Sequence, residues 1–121
     1  MAKILVVEDD KFLMNAYRVK FAKAGHEVKL ATNGDEALAC LSSYHPDVVL
    51  LDLVMPVRDG FSVIEEMKKN SATSKIPIII SSNLGQKEDV DRGLKLGAVD
   101  YILKSDTSLD VILQKINKAL T

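Results

Sequence analysis

Hydrophobic residues recur along the chain in five short runs, and each run is followed by a longer segment with helical spacing. The runs are rich in β-branched residues and lie at 4–7, 28–31, 48–51, 78–80 and 101–103. Three of them (4–7, 48–51 and 78–80) are apolar at every position, a pattern typical of strands that are buried on both faces of a parallel sheet. The pattern therefore predicts five strands that alternate with five helices.

The segments between the runs repeat their apolar residues every three or four positions, as amphipathic helices do. The third segment is clear, with Phe61, Ile64 and Met67, whereas the fourth offers only Val90 and Leu94 as apolar anchors. Strict alternation of strands and helices predicts an α/β fold, in which an open parallel sheet is covered by helices on both faces.

Two helix starts also carry capping signals. Asp10 stands directly before the first helical segment, and we favour a role for it as the N-cap. Thr107 and Asp110 have the spacing of a capping box at the start of the fifth helix.

Composition narrows the class of protein. The 121 residues fit one domain, and 16 basic residues against 17 acidic ones give a net charge of -1. That balance gives no electrostatic reason for direct binding to nucleic acid or to a membrane. The single cysteine, Cys40, cannot form an internal disulfide, so a reducing cytoplasm is the predicted location.

Polar residues gather where the predicted strands end. Glu8 and Asp9 follow the first strand, Asp52 follows the third, Ser82 closely follows the fourth, and Lys104 follows the fifth. In a parallel sheet these strand ends share one edge, and open α/β sheets bind ligands there. We therefore expect carboxylates, a hydroxyl and an ammonium group to meet in one cleft.

Such a group of side chains suits phosphoryl chemistry. Crowded carboxylates repel one another unless a cation lies among them, and Mg²⁺ prefers carboxylates with room for water. A carboxylate can attack phosphorus to give an aspartyl phosphate. The charge on the phosphoryl oxygens then requires a metal ion, a lysine and hydrogen-bond donors.

Four segments in this order resemble the receiver domain of bacterial two-component response regulators, and the resemblance covers the whole chain. They are VVEDD at 6–10, LLDLVMPVRDG at 50–60, PIIISSN at 77–83 and GAVDYILK at 97–104. The resemblance implies a doubly wound, flavodoxin-like fold with strand order 2-1-3-4-5. It also implies one receiver domain over residues 1–121, and we expect no output domain.

The resemblance further implies a role for individual residues. Asp52 would be the phosphoacceptor, and Mg²⁺ would be held by Asp52, Glu8, Asp9 and the main-chain carbonyl of Val54. The phosphoryl group would be bound by three residues that follow the fourth and fifth strands: Ser82, the backbone of Asn83, and Lys104. Ser82 and Tyr101 would form the switch.

The predicted function is that of a phosphoacceptor signalling module. A histidine kinase or a phosphotransfer protein would supply the phosphoryl group, and the domain would assist its own phosphorylation and dephosphorylation without being a conventional enzyme. The downstream partner would bind the face made by the fourth helix, the fifth strand and the fifth helix. The alternative is a degenerate receiver that binds partners without being phosphorylated.

Other enzymes and binding proteins of similar layout fit less well. A haloacid-dehalogenase-type hydrolase requires a second acid at position 54, but that residue is valine. A flavin binder requires a loop rich in Ser, Thr and Gly after the first strand, and this chain has EDDK there. The chain also departs from the family pattern at Ser105. A proline is usual at this position in the family, and the peptide bond that joins it to the preceding lysine is often cis. Without proline a cis bond costs about 2.5–4 kcal/mol, so we expect a trans bond between Lys104 and Ser105.

Overall fold

The computed structural model describes residues 2–121. Five strands and five α-helices alternate along them. The strands are β1 (Lys3–Val7), β2 (Glu27–Ala31), β3 (Val48–Leu51), β4 (Ile78–Ser82) and β5 (Asp100–Leu103). The helices are α1 (Lys11–Lys23), α2 (Gly34–Leu41), α3 (Gly60–Lys69), α4 (Lys87–Leu96) and α5 (Leu109–Ala119), and a 3₁₀ turn at Lys104–Asp106 precedes α5.

The strands form one parallel sheet in the order β2-β1-β3-β4-β5, which confirms the predicted fold class and strand order. Every residue of β3 and β4 is buried, as their apolar sequences predicted. Both strands extend the core on each side of the sheet, because successive side chains point to opposite faces. All the carboxyl ends of the strands lie on one edge.

Two hydrophobic clusters sandwich the sheet. On one face, α1 and α5 bury aromatic and isoleucine side chains: Tyr17, Phe21, Ile112 and Ile116. On the other face, α2 and α3 contribute the cluster that contains Leu41, Phe61, Ile64 and Met67. The three anchors predicted for α3 are therefore buried.

The packing of α4 differs from its prediction. Leu94 is 42% exposed, and Gly93 is the buried residue of this helix. A Cβ at Gly93 would lie 2.5 Å from Cδ1 of Ile80 and 3.4 Å from the ring of Tyr101. Glycine thus lets α4 approach the sheet closely.

The helix starts give one confirmation and one correction. Asp10 caps α1, since its carboxylate accepts hydrogen bonds from the backbone N–H groups of Phe12 and Leu13. The capping box predicted for Thr107 and Asp110 is wrong. Ser108 is the N-cap of α5, because Thr107 donates its hydroxyl hydrogen bond to the carbonyl of Leu103 instead.

Candidate phosphoacceptor site

The predicted site residues meet at the carboxyl edge of the sheet, around a cleft of about 400 Å³. β1 delivers Glu8 and Asp9, β3 delivers Asp52, and β5 delivers Lys104. The remaining residues that line the cleft are Asp10, Leu13, Val54, Ser82, Asn83 and Leu84. Seven of the eight predicted residues therefore line one cleft, and the eighth, Tyr101, lies beside it.

Lys104 joins the two buried carboxylates of the cleft. Its Nζ lies 2.6 Å from Oε1 of Glu8 and 3.2 Å from Oδ2 of Asp52. The second oxygen of Glu8 accepts a hydrogen bond of 3.1 Å from the N–H of Asp10. Glu8 is 2% exposed and Asp52 is 6% exposed, so solvent screens these ion pairs poorly.

Burial dominates the electrostatics of the two acids. It raises the pKa of both Glu8 and Asp52 above their ordinary values, although Lys104 opposes the rise in each case. Burial alone would lower the pKa of Lys104, but the carboxylates of Glu8 and Asp52 outweigh it and raise that pKa. Among the described residues that line the cleft, Glu8, Asp9 and Asp52 meet with Lys104 alone as a basic partner, so their negative charge exceeds what one ammonium group compensates.

A divalent cation fits that excess of negative charge. Glu8, Asp9 and Asp52 each offer a carboxylate oxygen, and these three atoms lie within 4.8 Å of one another. Asp9 is exposed and leaves room for water beside the two buried acids. An all-oxygen, partly hydrated site of this kind is what Mg²⁺ prefers.

The backbone behind Asp52 is held by the start of α3. The N–H of Gly60 donates a 2.9 Å hydrogen bond to the carbonyl of Leu53, and Asp59 caps α3 by accepting from the N–H of Ser62. A Cβ at Gly60 would overlap the carbonyl oxygen of Asp52 and lie 2.8 Å from Cα of Leu53. Position 60 must therefore be glycine for the helix to support the acid.

The two serines of β4 have different partners. Ser81 and the hydroxyl of Tyr17 are 3.3 Å apart on the α1 side of the sheet, and this contact supplies the partner that a buried hydroxyl requires. Ser82 lines the cleft, where its Oγ accepts a 3.1 Å hydrogen bond from the N–H of Leu84. Ser82, not Ser81, faces Asp52.

Leu84 connects Ser82 to Tyr101. The hydroxyl of Tyr101 donates a 2.5 Å hydrogen bond to the carbonyl of Leu84, whose N–H is bonded to Ser82. Tyr101 is half-buried and packs against the cluster beneath α4. The sequence alone did not reveal this backbone link, because main-chain hydrogen bonds of a loop leave no pattern of residue types.

The bond between Lys104 and Ser105 is trans, as expected. Within residues 2–121, none of the helices has the length and apolar character needed to cross a membrane.

Comparison with known proteins decides the family. The family model described as "Response regulator receiver domain" matches residues 4–117. The chain belongs to the response regulator receiver domain family. Such domains accept phosphoryl groups, bind Mg²⁺ at an acidic pocket, and pair with histidine kinases or phosphotransfer proteins.

Receiver domains of similar sequence occur alone and within longer proteins. Protein PilH of Pseudomonas aeruginosa is 38% identical over 120 residues, which cover 99% of this chain and 98% of PilH. A probable transcriptional regulator, ycf27 of Cyanophora paradoxa, is 41% identical over 102 residues, or 84% of this chain. The chain spans only 41% of that regulator's length, and half or less of its matched counterparts in Porphyridium aerugineum and Guillardia theta.

Solved receiver structures share the fold over nearly the whole chain. The receiver domain of Francisella response regulator 1452 superposes with a TM-score of 0.92 at 32% identity, covering 99% of this chain and 97% of that one. The chemotaxis protein CheY4 of Vibrio cholerae gives a TM-score of 0.92 at 28% identity, with 99% of both chains covered.

Proposed function

We propose that this receiver domain accepts a phosphoryl group on Asp52 from the phosphohistidine of a sensor kinase or phosphotransfer protein. The observation that carries the proposal is the placement of Lys104 between Glu8 and Asp52 in a cleft that Ser82 also lines. Asp52 is buried, lines the cleft and lies beside Lys104, and the hydroxyl of Ser82 lines the same cleft. These are the groups that an aspartyl phosphate requires.

The transfer is a displacement at phosphorus. An oxygen of Asp52 forms the new P–O bond while the P–N bond to the donor histidine breaks, and the leaving imidazole nitrogen keeps the electron pair. Lys104 moves from the carboxylate toward the phosphoryl oxygens and offsets their charge. The hydroxyl of Ser82 and the backbone N–H of Asn83 donate hydrogen bonds to the same oxygens.

The acids of the cleft would hold the metal. Asp9 and Asp52 would bind Mg²⁺ directly with the main-chain carbonyl of Val54, and Glu8 would act through water while it holds Lys104. When bound, Mg²⁺ would neutralise the charge that the carboxylates and the phosphoryl group bring together.

Ser82 and Tyr101 form the switch of this proposal. When the hydroxyl of Ser82 turns to the phosphoryl group, it gives up the N–H of Leu84, and Leu84 also holds Tyr101. The change reaches α4 and β5, and a downstream partner binds the face made by α4, β5 and α5. The domain acts in the cytoplasm and assists its own phosphorylation and dephosphorylation.

The test is phosphorylation by acetyl phosphate, followed by intact-mass measurement. We expect one added phosphoryl group in the presence of Mg²⁺ and none after chelation. Asp52→Asn should abolish the mass increase, whereas Asp10→Asn, which preserves the α1 cap, should retain it. A phosphorylated Asp52→Asn protein would refute the assignment.

A second experiment tests the metal independently of phosphorylation. The melting temperature should rise with added Mg²⁺, because a ligand that binds only the folded protein stabilises it. Asp9→Ala should blunt the rise. A wild-type melting temperature that does not respond to Mg²⁺ would contradict the proposed metal site.

A further inference from the structure

The loop that follows Asp52 contains a strained turn. Val57 has a φ of 71° and is the one non-glycine residue with positive φ in the part of the chain that the structure describes. The N–H of Arg58 donates a 2.8 Å hydrogen bond to the carbonyl of Pro56, so the turn is a γ-turn centred on Val57. The positive-φ form of this turn is rare and strained, above all for a β-branched residue.

The side chain of Val57 does not offset the strain. It is 76% exposed, so little packing favours its backbone conformation. The ends of the acceptor loop (residues 52–59) are fixed by Gly60 bonding to Leu53 and by the Asp59 cap. Within the loop, the N–H of Val54 lies 3.4 Å from Oδ1 of Asp52 and Met55 packs against the core cluster, so the turn at residues 56–58 is the part that depends on other contacts.

Arg58 supplies those contacts. Its Nε lies 2.7 Å from Oδ1 of Asp35 in the first turn of α2, and a terminal nitrogen lies 2.8 Å from Oγ of Ser62 in α3. Its backbone also packs on α2, since a Cβ at Gly34 would lie 2.7 Å from the carbonyl oxygen of Arg58. One side chain thus ties the strained turn to two helices.

We infer that Arg58 is a positioning residue for the metal site. Its clamp on Asp35 and Ser62 keeps the turn at Val57 closed, and the closed turn holds Val54, which lines the cleft, where its main-chain carbonyl would bind the metal. A backbone conformation of this kind persists only where its surroundings impose it. Without the clamp, the loop relaxes and the carbonyl leaves the cleft. This inference rests on the proposed function, since it assigns Val54 to the metal.

Mg²⁺ titration followed by NMR tests the clamp. Arg58→Ala should raise the Kd for Mg²⁺ by roughly three- to tenfold, because a relaxed loop must be closed again before the metal binds. Asp35→Asn should act in the same direction. Lys69→Ala breaks another exposed ion pair, with Glu66 at the far end of α3, and should leave the Kd unchanged.

A double variant separates the clamp from a general loss of stability. Val57→Gly removes the strain at its source, because glycine adopts positive φ freely. Arg58→Ala should therefore raise the Kd by less than about twofold in the Val57→Gly background. Equal effects of Arg58→Ala in both backgrounds, or none in either, would overturn the inference.

Amide exchange in metal-free protein gives a readout that needs no ligand. Exchange at Arg58 should be faster in Asp35→Asn than in the wild type, and unchanged exchange would overturn the clamp. If wild type binds no Mg²⁺, the proposed metal site falls and the inference falls with it. If wild type and Arg58→Ala bind Mg²⁺ equally, only the inference falls.

Discussion

Helices α4 and α5 flank the same strand, β5, but are held to it in different ways. α5 buries Ile112 and Ile116, and Ile116 is fully inaccessible to solvent. α4 buries only Gly93, and its outer contact is the guanidinium of Arg92, 4.0 Å above the centre of the Phe61 ring. Of the apolar side chains of α4, Leu96 packs only partly buried against the core cluster, so α4 has less buried apolar area than α5.

This difference in packing suits the two helices to different tasks, α5 to supporting the sheet and α4 to responding to a ligand. A helix with few buried apolar contacts opens or shifts at a low free-energy cost, which is what an element that responds to a ligand requires. α4 also begins three residues after Leu84, the residue that links Ser82 to Tyr101. The helix beside the proposed switch residues is thus the weakly held one, and α5 is the more firmly packed helix.

Alanine substitutions in the two helices would test this contrast with the largest effect. Ile116→Ala should lower the free energy of unfolding by about 2–5 kcal/mol, because it leaves a cavity in the core. Leu94→Ala should cost less than about 1 kcal/mol, because that side chain is already 42% exposed. Urea unfolding measures both values. Similar losses for the two variants would show that α4 is held as firmly as α5.

Amide exchange with beryllofluoride, a phosphoryl mimic, tests the response itself. With Mg²⁺ present, we expect exchange across residues 84–104 to change by roughly tenfold or more, while the amides of Ile112 and Ile116 stay constant. The Asp52→Asn variant is the control for a specific effect. A response confined to α1 and α2 would place the output surface elsewhere.

The lifetime of the phosphorylated state should depend on two apolar residues at the cleft, one of which lies in the loop before α4. Val54 is exposed at the cleft, and Leu84 lines it from the α4 side. Neither can bond a water molecule or take its proton, so loss of the phosphoryl group should be slow. The Val54→Asn, Leu84→Gln variant should lose the group several-fold faster after removal of acetyl phosphate. Equal decay of the two proteins would remove this argument.

The smallest expected effect concerns the contribution of the Asp52 charge to the stability of the fold. Burial raises the pKa of Asp52 above 3.8, so the folded protein binds a proton there more tightly than the unfolded chain. Its ionised form therefore lowers stability at neutral pH, and that cost disappears as the pH falls through the folded-state pKa.

Asp52→Asn should accordingly raise the melting temperature slightly at pH 7 in metal-free buffer, and the gain should shrink with acidification. Asp47→Asn, at an exposed carboxylate, is the control for a general charge effect. A lower melting temperature of Asp52→Asn at pH 7, with the loss shrinking on acidification, would mean that the ion pair with Lys104, not burial, dominates at Asp52.

The sheet was predictable because the amino-acid composition of its strands indicates that they are buried. Continuous apolar runs at β3 and β4 indicated that both faces of the sheet are buried, and polar residues at the strand ends indicated the position of the cleft. The cap at Asp10 was predictable for a similar reason, since it depends on neighbours in the chain.

Features that depend on tertiary contacts were not predictable in this way. Asp110 has the spacing of a capping box, yet it pairs with Lys20 of α1, and Ser108 caps α5 instead. Glycine inside a helix is destabilising by propensity alone, whereas in the fold Gly93 is the contact point of α4. In each case the deciding partner lies in another element, so local spacing carries no information about it.

The order of the strands determines when the site becomes complete during folding. β1 lies between β2 and β3, whereas β4 and β5 add to one side of the sheet, so Lys104 reaches Asp52 only when the last strand is in place. Pairings between distant segments form slowly, and β5 is synthesised after the other four strands. A nascent or truncated chain therefore has Asp52, the proposed acceptor, without its lysine. Under the proposed assignment, the phosphorylated fraction in a cell counts only molecules that have finished folding.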